Sequence, residues 1–97
     1  MRTLEIVLQS INAIRPELTR LGVGGIGVFG SVARGEDRPE SDVDVLVEFA
    51  GPADLLDLVR VKLALEEVLH RRVDVVTPGG IRPQHRVEIY RDLKRAA

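Results

Sequence analysis

Three aspartates stand where carboxylates are costly. Asp42 and Asp44 lie two residues apart at the head of the apolar run ending at Phe49, so in a strand both side chains share one face. Asp74 interrupts a second apolar run, Val73-Asp74-Val75-Val76. An unpaired charge inside a strand destabilises, and two carboxylates on one face repel unless a cation lies between them. A hard divalent ion with oxygen ligands, Mg²⁺ or Mn²⁺, meets that need. If the two strands are neighbours, Asp74 completes a three-carboxylate cluster. Such a cluster suits phosphoryl or nucleotidyl transfer, in which metals clamp the attacking and leaving oxygens.

The anion-binding half of such a site is Gly30-Ser31. A strand that ends in glycine, followed by serine at the start of a helical turn, presents backbone N–H groups and a hydroxyl to phosphate oxygens. A side chain at position 30 would block that approach. Arg34, one turn on, either contacts phosphate or forms an ion pair. Glu48 continues the Asp42/Asp44 face, as a further ligand or as an exposed charge at the strand's end. Taken singly, Asp42 is equally a strand cap and Asp44 equally a solvent-facing residue; the combination with Gly30, Ser31 and Asp74 carries the metal-site reading.

The elements that must position these residues follow from spacing. Leu4, Val7, Leu8, Ile11, Ile14, Leu18 and Leu21 recur at helical intervals, with Thr3 as N-cap, a break near Arg15 enforced by Pro16, and a stop at Gly22. Val23–Phe29 reads as a strand, too short and too rich in glycine for a helix. A helical turn and a charged loop lead to the second strand, Asp42–Phe49. Residues 53–70 form the longest helix, with Asp54 near its start and His70 and Arg71 at its end, as the helix dipole favours. Its stripes Leu55/Leu58/Val61/Leu65/Val68 and Leu56/Val59/Leu63 require burial on two sides, by the N-terminal helix or by another chain. Arg72–Thr77 is a third strand. A last helix follows Pro83, with Val87, Tyr90 and Leu93 on one face and a basic tail that reads as a solvated surface. The expected fold is α/β (α+β), a small mixed sheet of three to four strands flanked by helices.

Composition narrows the field. The chain has 97 residues, 44% of them hydrophobic, and this size predicts a single domain over 1–97, with a radius of gyration of roughly 12–13 Å. Fourteen basic and 15 acidic residues leave a net charge of −1, which supplies no long-range attraction to nucleic acid. With no cysteine, a thiol nucleophile, a disulfide scaffold and a cysteine-ligated zinc site are excluded. No apolar run is long enough to span a bilayer, and the first ten residues lack a signal peptide's apolar block; the expectation is a cytoplasmic globular domain.

Gly30-Ser31, ten intervening residues and Asp42-Val43-Asp44, within the string GSVARGEDRPESDVDVLVEF, resemble the signature of the DNA polymerase β-like nucleotidyltransferase superfamily. Over about residues 20–77 the chain is similar to its minimal nucleotidyltransferases, the MNT family that includes the MntA-type antitoxins of HEPN/MNT toxin–antitoxin modules. The resemblance implies the polymerase β-like fold, ATP as substrate, Mg²⁺, and transfer of AMP to a tyrosine of a HEPN-type RNase toxin with which the chain forms a hetero-oligomer. Gly30 and Ser31 then match the nucleotide-phosphate loop, Asp42 and Asp44 the metal ligands, and Asp74 the third carboxylate that helps activate the acceptor hydroxyl. The alternative function is a binding module that neutralises its partner by occlusion.

Overall fold

The computed structural model describes residues 2–96. In chain order the elements are α1 (Thr3–Ala13), α2 (Arg15–Arg20), β1 (Val23–Phe29), α3 (Gly30–Arg34), β2 (Val43–Phe49), α4 (Leu55–Leu69) and β3 (Val73–Val76). Two 3₁₀ turns (Pro78–Gly80 and Pro83–His85), α5 (Arg86–Asp92) and β4 (Lys94–Arg95) complete the chain. The strands form one sheet in the order β3-β2-β1-β4. β1 runs antiparallel to β2 and β4, while β2 and β3, joined through α4, are parallel. The mixed four-stranded sheet flanked by helices matches the expected class, and the Cα radius of gyration is 12.4 Å.

Proline divides the first helical stretch as its chemistry demands. Ile14 closes α1 and opens α2, with Pro16 in the first turn of α2, where no N–H is needed. Gly22 then ends the stretch in a left-handed conformation, φ 95°. Thr3, expected as the N-cap, is instead the first helical residue. Arg2 occupies the cap position and its side chain makes no capping bond. The opposite case is α4. Asp54 accepts from the Asp57 N–H at 2.9 Å and Asp57 accepts from the Asp54 N–H at 2.9 Å, a reciprocal capping box. At the far end His70, expected as a last-turn charge, lies beyond the helix at φ 54° and closes it.

Alternation along β2 sorts the sheet's two faces. Val43, Val45 and Val47 join Val7, Ile11, Leu18, Ile26, Val28, Val61, Leu65 and Val73 in the core on the helix-covered side. Asp44, Leu46 and Glu48 consequently point to the other side. The last segment differs from expectation. Val87 and Tyr90, expected on a buried face, are 78% and 41% exposed, and Ile89 and Leu93 turn inward instead. The helix ends at Asp92 and the chain straightens at Leu93 (ψ 125°), so Leu93 leaves the helical face on which spacing had placed it. Lys94 and Arg95 then pair with Val28 and Gly27 as an edge strand. Gly27 permits this closeness: a Cβ there would sit 2.7 Å from Leu93 Cδ1.

Candidate active site

Asp44 is the centre of the site. The ladder sets it beside Phe29 on one side and directly opposite Asp74 on the other. At the end of β1 the chain turns through Gly30 at φ 73°, where its Cα hydrogens face the Asp44 carboxylate, and a Cβ would collide with Asp44 Oδ2. Glycine is therefore required twice at this position, for its left-handed backbone and for the room left to the carboxylate. Ser31 follows in the first turn of α3. Together Gly30, Ser31, Arg34 and Asp44 line a cleft of about 360 Å³, with His85, Glu88 and Ile89 across from them.

The electrostatics of Asp44 reflect this placement. Burial, then Asp74, then Asp42 push its carboxyl up to about 6, and Arg34 opposes them. A half-buried carboxylate beside two further carboxylates, opposed by an Arg34 that Glu36 and Asp92 already hold, is short of counter-charge, and a hard divalent cation with oxygen ligands is the group that supplies it. The donor set thus fits such an ion. As the side chains stand, no three acid or histidine groups among the described residues converge closely enough to hold it. Asp42 is engaged elsewhere, its Oδ1 meeting Arg72 Nε at 3.3 Å. Both partners are well exposed, and an ion pair of that kind contributes little, so it yields readily to a stronger ligand.

Asp74 is also exposed, because it lies on an edge strand and faces away from the helix-covered core. The expectation that it sits in a strand core gives way to an edge position in which solvent covers it until a ligand arrives. Arg34 is held by two carboxylates, Nε to Glu36 Oε1 at 2.8 Å and Nη1 to Asp92 Oδ2 at 2.7 Å, which raise its pKa further. Glu48 pairs with Arg95 rather than pointing into the site. A larger cleft, about 480 Å³, lies on the far side of α3 between Arg2, Thr3 and Asp37, but it contains none of the three aspartates.

Residues that sequence patterning passed over complete the arrangement. Arg71, read as a last-turn charge, donates from Nη2 to the Arg38 and Ser41 carbonyls at 2.9 and 2.7 Å and meets Asp37 at 3.6 Å. It therefore fastens the loop that delivers Asp42. Arg71 Nε itself has no partner among the described residues. Glu88 reaches the cleft only through folding, with no local signal to mark it, and His85, weighed with the tail as a triphosphate or partner contact but read as solvated surface, lines the cleft beside it.

Residues 11–96 match the nucleotidyltransferase domain family. The chain is 49% identical over 78 residues to MJ0435 of Methanocaldococcus jannaschii, assigned as a protein adenylyltransferase, covering 76% of this chain and 84% of that one. It is 42% identical over 83 residues to the protein adenylyltransferase MntA of Thermococcus cleftensis, covering 84% of each. A solved minimal nucleotidyltransferase superposes with TM-score 0.79 at 40% identity, covering 97% of this chain and 95% of the other. More distantly, at 19% identity and TM-score 0.68, the fold recurs in the Shewanella oneidensis complex of an MNT antitoxin with a tri-AMPylated HEPN toxin, covering 94% of this chain and 71% of that one. The chain belongs to the nucleotidyltransferase family, as a minimal enzyme of the protein adenylyltransferase type.

Proposed function

We propose that this chain moves AMP from ATP to a tyrosine hydroxyl of a HEPN-type toxin, with Mg²⁺ (or Mn²⁺) bound by Asp42, Asp44 and Asp74, and thereby acts as the toxin's antitoxin. The observation that carries the reading is the meeting of Asp44 with Gly30 on one side and Asp74 on the other. It sets the Gly30-Ser31 turn, read as the phosphate-binding element, beside a pair of carboxylates within three adjoining segments. The relatives named as protein adenylyltransferases support the reaction class, and the AMPylated toxin of the Shewanella complex supports the acceptor.

Gly30 and Ser31 hold the triphosphate, with Arg34 at the margin of the cleft. The acceptor oxygen bonds to the α-phosphorus, the bond from that phosphorus to the bridging oxygen breaks, and pyrophosphate leaves with the electron pair. Asp74, on the exposed side of Asp44, accepts the acceptor's proton. The divalent cation supplies neutralisation of the triphosphate charge and polarisation at the α-phosphate. Transfer of label from α-labelled ATP to the toxin, abolished in the Asp42→Asn/Asp44→Asn double variant, is the expected outcome. Unlabelled toxin that both forms still neutralise would sink this reading in favour of the second one, neutralisation by contact alone. The exposed apolar residues Leu55, Leu56, Val59 and Leu63 on α4 favour a protein interface in either case.

A further inference from the structure

The outer edge of β3 adjoins both the apolar face of α4 and the carboxylate site. The Val43 N–H donates to the Arg72 carbonyl, which sets the alternation of the parallel ladder and turns the main-chain groups of Val73 and Val75 outward. Glu66 Oε2 takes the Val73 N–H at 3.0 Å. The N–H and C=O of Val75 have no hydrogen bond outside the ladder among the described residues. Alongside runs a groove of about 230 Å³, lined by Leu55, Leu58, Val59 and Lys62 of α4 with Asp74 and Val75. It is smaller than the roughly 300–1,000 Å³ of small-molecule sites and suits a single side chain.

We propose that this edge and groove form the acceptor subsite: an extended segment of the partner adds to β3 as a further strand, placing an apolar side chain in the α4 groove and the adjacent tyrosine over Asp74. The proposal rests on the adenylyl-transfer reading above and supplies the manner in which the acceptor is held. Alternation gives the two directions. Val75 packs toward the helix-covered core, while Asp74 faces the other side with Asp44. A residue opposite Val75 therefore points to the groove, and its neighbour opposite Asp74 points to the carboxylates. Strand spacing sets the reach: an added strand lies two spacings, roughly 9–10 Å, from β2 and Asp44. A phenol hydroxyl extends over Asp74 and covers part of that gap, whereas a serine hydroxyl, one carbon from the main chain, stays beside its own strand. Main-chain pairing gives affinity in such complexes and the alternate side chains give specificity. A second copy of this chain is disfavoured as occupant, because edge-to-edge pairing brings the two Asp74 carboxylates together.

The test uses the full chain and two synthetic peptides: a soluble extended peptide carrying Val-Tyr-Val, and the same peptide N-methylated at both valines. The first should shift the Val75 amide resonance, slow its hydrogen exchange and accept label from α-labelled ATP on tyrosine. Val59→Asp and Leu55→Asp, at exposed positions that folding does not need, should raise its dissociation constant and KM by about tenfold or more while Mg–ATP affinity keeps its wild-type value. The methylated peptide should do neither. Equal binding or labelling of the methylated peptide, unaffected groove variants, or a Val75 amide that responds to protein concentration instead of peptide would each overturn the proposal. So would intact Mg–ATP binding without any peptide engagement. Loss of Asp44-dependent Mg–ATP binding would instead overturn the adenylyl-transfer reading, with the Val75 resonance still deciding the edge.

Discussion

Asp44 carries a conflict between stability and function. Its carboxyl, raised to about 6 by burial and by Asp74 and Asp42, compares with about 3.9 in an unfolded chain. Because the folded value is the higher one, the protonated group favours the fold at acid pH, and that contribution is lost as pH rises through 6. Allowing for solvent screening of a half-exposed group, the difference is ~1.5 kcal/mol. The Asp44→Asn protein without metal is therefore expected to be more stable than wild type at pH 8 and equal to it near pH 4, while transferring no label. Urea titrations at the two pH values check this; a variant less stable at pH 8 would mean that the carboxylate is compensated within the protein. The five residues proposed for the site, Gly30, Ser31, Asp42, Asp44 and Asp74, stand out in the sequence because each is anomalous against its own neighbours: a glycine-serine break after a strand, charges inside apolar runs. His85, at the end of a 3₁₀ turn, and Glu88, in the first turn of α5, stand in an ordinary charged tail and carry no such contrast.

Among the elements, the loop between α3 and β2 depends on a residue from the other end of α4. Arg71 binds two of the loop's carbonyls and Asp37, and its loss leaves the loop only its own Arg38–Ser41 bonds. Arg71→Ala is expected to cost about 1.5–3 kcal/mol, the range for charged hydrogen bonds, and to weaken Mg–ATP binding through the freed Ser41-Asp42 segment. Calorimetric titration with Mg–ATP checks the second effect, and Arg71→Lys, which keeps the charge but not the forked donors, should recover little of it. Helical spacing and strand composition had predicted β1 at its observed limits and α4 to within two residues, since both are written in local periodicity. β4 was missed because two charged residues have no strand signature; it exists through Gly27, which admits Leu93 and Lys94 against β1.

For the molecule as a whole, binding at the proposed carboxylate site would be a source of apparent stability. Mg–ATP at a hundred times its dissociation constant should add about 2.7 kcal/mol, a rise in melting temperature of roughly 10–20 °C for a domain of this length. A chelator should reverse the rise, and the Asp42→Asn/Asp44→Asn protein should show none; a nucleotide-induced shift that survives both would place the nucleotide elsewhere. Residue types and spacing along the chain were sufficient for the main helices and three strands, and for singling out the Gly30-Ser31 turn and the three aspartates as candidates, because each depends on patterns within a few residues. The direct opposition of Asp44 and Asp74 arises from the parallel β2–β3 ladder. The exposure of Asp74 and of the Leu55/Val59 face arises from β3 lying at the sheet's edge. Such features join residues thirty positions apart, and side-chain periodicity holds no information about which strand lies next to which until the core has closed.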